Sequence, residues 1–391
     1  MTLRPASTID TDVLVVGGGV TGCATAYYLA REGIETVLVD RGDVNAEGSG
    51  ANAGSLHTML VSRFFRSEDP LWVRGREILI PMLREAVDVW RELRTELDTD
   101  IEMKLDGGLM VAETEDELRL LERKAAVERR CGLDAHVVTG ADLSKLAPYV
   151  SDRVVGAEFC RQEGKVNPLL ATPALARSAG AAGARMLLQT TVESIAAENP
   201  GFAVRTNRGP MRCRRLVNAA GASAARVAAK VGLELPLRSY ARHMNVTEAA
   251  PPLFGHLVQH AAHLLTMKQA SAGNIVIGGG WPAGHDSSSR FGAVLRRSIA
   301  GNMGVAVAVA PGVSGLGLLR TWTGVIFLAP DGNAIIGQST RVPGFFHAVP
   351  PNAGYTGGPL SGRIVAELMT DRDAARRYGS LAVDRFEGDA G

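Results

Sequence analysis

The sequence predicts an α/β fold of mixed α+β character built on two separate sheets, and three observations predict it. An apolar run from Asp12 to Val16 leads straight into Gly17, Gly19 and Gly22 of GGGVTG, and Thr21 to Glu32 then reads as a helix closed by Gly33. A second apolar run, Glu35 to Asp40, ends on an acid about 20 residues further on, the spacing of a Rossmann-type βαβ unit. Far from that unit, Leu237 to Thr247, Leu264 to Gln269 and Asn274 to Gly278 are patterned as strands, which calls for a second sheet.

The elements follow in order. Residues 42–57 are rich in Gly, Ser, Asn and Ala and read as a loop. Ile78 to Leu97 has helical periodicity, with Leu79, Met82, Leu83, Ala86, Val87 and Trp90 able to share a core-facing side. Thr114-Glu115-Asp116-Glu117 is patterned as a capping box for a helix running to about Arg130. A helix from Pro173 to Ala182 and a strand from Arg185 to Gln189 come next. Phe202 to Thr206 and Met211 to Val217 flank the turn Asn207-Arg208-Gly209-Pro210 as a hairpin. Phe291 to Ala310 reads as one or two helices, and Ser361 to Met369 as a helix preceded by Gly357-Gly358-Pro359.

The opening glycines carry a mechanism. Gly17 makes the tight turn, Gly19 lets a pyrophosphate approach the backbone around Gly18, Val20 and Thr21, and Gly22 lets helix and strand pack closely. Helix N–H groups and the positive end of the helix dipole then face the phosphates. Asp40, with Arg41 beside it, is placed to hold ribose hydroxyls. This unit alone does not separate FAD from NAD.

Composition removes other classes. Of 391 residues, Lys and Arg number 42 against 41 Asp and Glu, without a basic tract, so nucleic acid is not an expected partner. The four cysteines are scattered, which argues against a disulfide framework or a metal cluster within this chain and for a reduced, cytoplasmic setting. No apolar run approaches the roughly 20 residues of a transmembrane helix. His260 and His263 are close in sequence, but no third ligand accompanies them, so no metal is expected.

The N-terminal stretch DVLVVGGGVTGCATAYYLAREGIETVLVDRG, with the following GSGANAGSLH, resembles the D-amino-acid oxidase/glycine oxidase superfamily of FAD-dependent enzymes. Three later blocks fit the same family in order: EGKVNPLLATPALARSAGAAGARMLLQTTVESI, RRLVNAAGASAARVA, and PDGNAIIGQS with GFFHAVPPNAGYTGGPLSGRIVAEL. ANAGSLH looks most like the FAD subunit of hydrogen cyanide synthase, the B subunits of opine oxidases and the β subunits of dye-linked proline or hydroxyproline dehydrogenases.

The resemblance implies a Rossmann-type FAD-binding domain made of residues 1–71, 150–229 and 324–391. Interleaved with it would be a substrate domain on a mixed antiparallel sheet, residues 72–149 and 230–323. It implies that Gly48, Ser49, Gly50, Ala51 and Asn52, continuing through Ala53, Gly54, Ser55 and Leu56, pass under the flavin. Val192 would meet the adenine region, and Ala219, Ala220 and Gly221 would lie along the pyrophosphate. Gly324 joins the cofactor set, and Asn352, Ala353, Gly354, Tyr355 and Thr356 would bring backbone N–H groups to the flavin pyrimidine. The FAD is expected to be non-covalent: Asn52 stands near the place of a flavin-linked histidine in some relatives, and no cysteine replaces it.

The implied chemistry is oxidation of a C–N bond, a hydride passing from the α-carbon to the flavin and the resulting imine hydrolysing. A dedicated base is not required if the amine arrives neutral. The arginine that clamps the substrate carboxylate in simple amino-acid oxidases falls at Ile326, in RTWTGVIF. Arg242, Lys268, Arg63 and Arg320 are the cations that remain for that role, though each reads first as a structural or surface charge. The oxygen-activating lysine of sarcosine oxidases falls at Val276, which favours a dehydrogenase over an oxidase. His57, after the flavin loop, is a pocket residue or a packed one. His243 is expected on a strand facing the substrate, and Tyr240 and Tyr355 are pocket walls or core. The expected activity is that of the FAD-carrying (β) component of a multi-subunit amine or amino-acid dehydrogenase. Its substrate would be an opine, a proline derivative or glycine. Its partners would accept electrons or carry iron–sulfur clusters, and could hold it at a membrane periphery. A stand-alone oxidase releasing hydrogen peroxide and an FAD-holding component with a degenerate substrate site are the alternatives.

Overall fold

In the computed structural model, which describes residues 8–66, 70–284, 291–371 and 373–386, two eight-stranded sheets carry the chain. The first sheet is built around β1 (Ile9–Val16), which lies parallel between β2 (Thr36–Val39) and β11 (Gly209–Asn218). Every residue of β2 is buried, as expected of a parallel strand covered on both faces. β8 (Arg185–Leu187) extends the sheet beyond β2, while β18 (Phe345–Val349) and β17 (Ile335–Gln338) extend it beyond β11. The expected hairpin is present: β10 (Gly201–Thr206) pairs antiparallel with β11 and carries β9 (Val192–Glu198) on its other side.

Two helices pack against this sheet and each other. The first helix, Val20–Arg31, follows β1 and packs against the closing helix, Gly354–Thr370. A Cβ at Gly358 would lie 2.6 Å from Val20 Cγ1, and one at Gly362 2.6 Å from the Thr25 nitrogen. These glycines are therefore a helix–helix seam. The expectation that Gly357-Gly358-Pro359 precedes a helix starting at Ser361 is corrected: the helix starts at Gly354 and contains Pro359.

The second sheet runs β16 (Leu318–Leu328), β12 (Arg238–Ala249), β15 (Asn274–Gly278), β14 (Thr266–Gln269), β13 (Leu257–His260), β4 (Gly108–Ala112), β6 (Gly156–Cys160) and β5 (Ala135–Thr139). All its pairings are antiparallel except β13 with β4, so it is mixed. A small ladder of β3 (Ser55–Leu56) with β7 (Gly164–Lys165) completes the strands.

The sheets divide the chain differently from the expected boundaries. β6 falls within residues 150–229, yet it pairs between β4 and β5 of the second sheet. The limit at 324 cuts through β16. The helix Pro70–Glu96, allotted to the substrate part, sends Trp90 onto Tyr355 and Thr356 of the closing helix. Partners distant in sequence select these pairings, and a linear pattern does not name them. The expected outer limits at residues 1 and 391 lie outside the described residues.

Candidate active site

The site begins at the glycine turn. Gly17 sits at φ +120°, where L side chains are strained, and a Cβ there would come 2.4 Å from the Ala219 carbonyl oxygen. A Cβ at Gly22 would stand 1.8 Å from the Gly17 oxygen, so only glycine lets the helix approach β1 this closely. Gly19 caps the first helix without a side-chain bond, and the Val20 N–H instead donates to Ser49 Oγ at 3.0 Å. Thr21 lies in the same first turn. Asp40 accepts from the Gly18 N–H at 2.6 Å and the Gly42 N–H at 2.7 Å, bracing the turn from the end of β2. Arg41 is held instead by Glu47, at 2.6 Å. Ala219, Ala220 and Gly221 run alongside, with the Ala219 N–H on the Val16 carbonyl. Val192 opens β9 two residues after Thr190, whose N–H donates to the Asp40 carbonyl at 2.7 Å.

The loop that follows contains one helical turn, Gly48–Ala51. Asn52 braces it, donating from its amide to the Ser49 carbonyl and accepting from the Gly54 N–H. Beyond Ala53, the chain enters β3. Thr356, at the start of the closing helix, accepts from the His57 N–H at 2.9 Å and donates to the Ser55 carbonyl at 3.3 Å. That helix start is turned by Ala353, left-handed at φ 64°, after Asn352, whose N–H is held by the Gly332 carbonyl. The starts of both helices thus flank one loop. Tyr355, by contrast, is core: its ring stacks on Trp90 at 5.4 Å, and its hydroxyl meets that of Thr172 at 3.1 Å.

The second sheet closes the site from above. Trp322 Nε1 donates to the Ala51 carbonyl at 2.7 Å, and a Cβ at Gly324 would lie 2.9 Å from Ala51 Cβ. Side chains two apart on a strand share a face, as do cross-strand partners. Tyr240 pairs with Ile326, Arg242 with Gly324 and Met244 with Trp322, so all six positions face the loop. Lys268, paired with Val276, which in turn pairs with Val246, belongs to the same face and donates to Ser55 Oγ at 3.4 Å. Complete burial, with Lys165 adding to it, pushes the Lys268 ammonium well below the ordinary lysine range.

The odd-numbered residues of β12 point the other way. His243 is fully buried there and accepts from the Leu295 N–H at 2.9 Å, which corrects its expected position on the substrate side. The strand period was legible, but which of its two faces met the loop at Ala51 was not. Arg320 pairs with Val246, far along β16 from Ile326.

His57 stays at the loop, and the structure adds a residue that sequence reasoning missed. Glu163 is completely buried, accepts from the Thr58 and Met59 N–H groups at 2.7 and 2.8 Å and from Gln259 Nε2 at 3.1 Å, and lies 3.5 Å from His57 Nδ1. Its only sequence signal is its place at the head of EGKVN.

His260 and His263 do have a third neighbour, contrary to expectation: ligand atoms of Glu113, His260 and His263 lie within 4.8 Å of one another. His260 Nδ1, however, accepts from the Ala262 and His263 N–H groups at 3.0 and 3.1 Å. A neutral ring has one lone pair, and that pair is already engaged, which leaves a proton on Nε2 facing Glu113. No helix among the described residues is long and apolar enough to cross a membrane.

Comparison with known proteins matches residues 12–368 to the family described as DAO, FAD dependent oxidoreductase. The chain belongs to that family. Within the family, it is 27% identical over 383 residues to the beta subunit of sarcosine oxidase from Rhizobium meliloti, covering 96% of this chain and 88% of the relative. It is 29% identical over 355 residues to the B subunit of opine oxidase from Rhizobium meliloti, covering 86% of this chain and 87% of the relative. Among solved structures, glycine oxidase from Geobacillus kaustophilus superposes with a TM-score of 0.82 at 26% identity, covering 97% of this chain and 99% of the other. The chain is an FAD-dependent oxidoreductase, and its residues fit the cofactor. The glycine turn has no room for side chains, the first helix lacks a cap from Gly19, and Asp40 stands beside that turn.

Proposed function

We propose that this chain oxidises the C–N bond of an amino acid or secondary amine. We place it as the FAD-bearing component of a dehydrogenase assembly, holding its flavin without a covalent bond. The observation that carries this reading is the arrangement of Gly17–Gly22 and Asn352–Thr356 around one loop, under a sheet face bearing Tyr240, Arg242, Lys268 and Ile326. The sarcosine, opine and glycine oxidases to which it is similar support the substrate class, and the names of two of them, as subunits of larger enzymes, support partners.

Bound FAD supplies the two-electron acceptor for the α-carbon hydride. The chain's own residues orient and exclude. Asp40 and the first helix would hold the ADP end, the loop from Gly48 to Leu56 would carry the ring, and the start of the closing helix would offer it N–H groups. The β12–β16 face, which lies against that loop, would shield the reacting carbon from water. His57, facing Glu163 through Nδ1, keeps Nε2 for a substrate proton. Anaerobic mixing of the holoprotein with sarcosine, iminodiacetate and proline checks the reading: at least one amine bleaches the flavin band. An unbleached flavin with every amine, in the complete assembly, points to a degenerate site.

One observation favours the stand-alone oxidase. Lys268 is the cross-strand neighbour of Val276 and reaches the flavin loop, so a buried amine stands one strand from the position where sarcosine oxidases would carry a lysine. Stoichiometric hydrogen peroxide on aerobic turnover of the isolated chain would decide for it.

A further inference from the structure

Two buried lysines meet at Ser55, and their surroundings are unequal. Lys165 stands opposite Ser55 in the small β3–β7 ladder. Its Nζ donates to the Gln269 carbonyl at 2.7 Å and to the Gly255 carbonyl at 3.3 Å. Lys268, the residue before Gln269, makes one hydrogen bond among the described residues, to Ser55 Oγ at 3.4 Å. Lys165 thus has the carbonyl acceptors that suit an ammonium, and Lys268 has a single distant hydroxyl.

No carboxylate pairs with Lys268 among the described residues. On one side, β15 opposes it with Val276; on the other, β13 sets Gln259 and Val258 against its neighbours Thr266 and Met267. The acid on that side, Glu163, is engaged by the Thr58 and Met59 N–H groups and by Gln259, with His57 Nδ1 at 3.5 Å. Asp106 and Lys104 act on Lys165 in opposite directions, and Lys165 adds its repulsion to the desolvation of Lys268. A buried ammonium without an anion is costly, so such an amine stays uncharged until a negative charge arrives beside it. Lys268 is 4% exposed, which keeps it behind Ser55 rather than in the open cleft. It is therefore suited to act by charge across the loop and not by touching a substrate. A hydride brings one negative charge to the flavin that accepts it, and in a dry site that charge attracts a proton to a nearby base.

We propose that Lys268 is the proton acceptor coupled to flavin reduction, an uncharged amine beside oxidised FAD and an ammonium beside reduced FAD. This rests on the loop from Gly48 to Leu56 carrying the flavin and is independent of which amine is oxidised. The step balances. Two electrons and one proton enter the ring as a hydride and leave it with one negative charge. A second proton passes from water through the Ser55 hydroxyl to Lys268 Nζ, and the site is neutral again.

The test is the midpoint potential of the full-length holoprotein, measured by slow anaerobic reduction against reference dyes between about pH 7.5 and 9.5, below the ordinary lysine range. Wild type is expected to fall by about 60 mV per pH unit, two protons for two electrons, because each proton is worth about 30 mV per unit for such a couple. Lys268→Met is expected to halve that slope and to lower the potential at neutral pH, with FAD content and melting temperature kept. Lys268→Gln serves in its place if the Met variant does not fold. A lysine that only packs would leave the slope where it was. A wild-type slope of about 30 mV per unit overturns the proposal and needs no variant. A slope of about 60 mV per unit kept in Lys268→Met puts the second proton elsewhere and also overturns it. If the potential and the visible flavin band are unchanged as well, the placement of the flavin on this loop falls with it. A halved slope in Lys268→Met, with no bleaching of the wild type by any amine, supports the proton coupling and overturns the amine reading.

Discussion

At the scale of single residues, buried polar groups carry the sharpest consequences. Glu163 holds the backbone of Thr58 and Met59 and sits beside His57, so its loss strands two N–H donors in the interior. Glu163→Ala should lower unfolding free energy by about 3 kcal/mol in urea titrations. Glu163→Gln, which keeps the shape, should leave more stability but shift the pH profile of flavin reduction. Asp40→Ala should weaken FAD retention about 10-fold or more, read as flavin absorbance after gel filtration, because it releases the Gly18 and Gly42 N–H groups that brace the glycine turn and removes the acid proposed to hold the ribose. His347, buried on β18 with neither ring nitrogen bonded, is pushed down by desolvation to about 4. An unfolded imidazole titrates at 6.5, so between pH 6.5 and about 4 the unfolded chain binds the extra proton and stability falls with falling pH. The loss attributable to this ring is about 3 kcal/mol, and His347→Phe should flatten the melting temperature over that window.

At the scale of elements, two seams set the geometry of the site. The first and closing helices touch through Gly358 and Gly362, and this contact brings both helix starts to the same loop. Gly362→Val should cost about 1–3 kcal/mol from overpacking and should also reduce flavin content, since spreading the helices moves Thr356 from Ser55 and His57. The other seam joins the helix Glu115–Arg130 to β6. Lys124 Nζ donates to Glu128 at 2.7 Å and Glu158 at 2.8 Å, all three fully buried, and Glu128 also accepts from the Leu60 N–H at 3.0 Å. The Glu128 carboxyl is pushed well up by burial, with Lys124 acting against it. Lys124→Met leaves two buried acids without their cation and should cost about 3–5 kcal/mol by chemical denaturation.

At the scale of the whole molecule, one loop gathers parts that the chain brings together from far apart. Gly17, Asp40, Ser55, Ala219, Gly324 and Thr356 are spread over most of the sequence and meet around one loop. A ligand that binds only the folded form stabilises it by mass action, so FAD at 100 times its dissociation constant should add about 2.7 kcal/mol, seen as a higher melting temperature than that of the stripped protein.

What the sequence determined by itself was local. The βαβ unit, its glycine turn and Asp40 are written in consecutive residues whose periodicity and spacing have one physical solution, and the capping box at Thr114 is present, with the Glu117 N–H on Thr114 Oγ1. The order of the later blocks, again a linear property, named the family. Only the tertiary structure decided which face of β12 met the loop at Ala51, turning Arg242 toward it and His243 away, and it alone brought Glu163 to His57. The reason is that a strand shows its period in sequence but not the partner that selects its face. A contact between residues about 100 positions apart, such as Glu163 with His57, is chosen by packing and pairing, which leave no local trace.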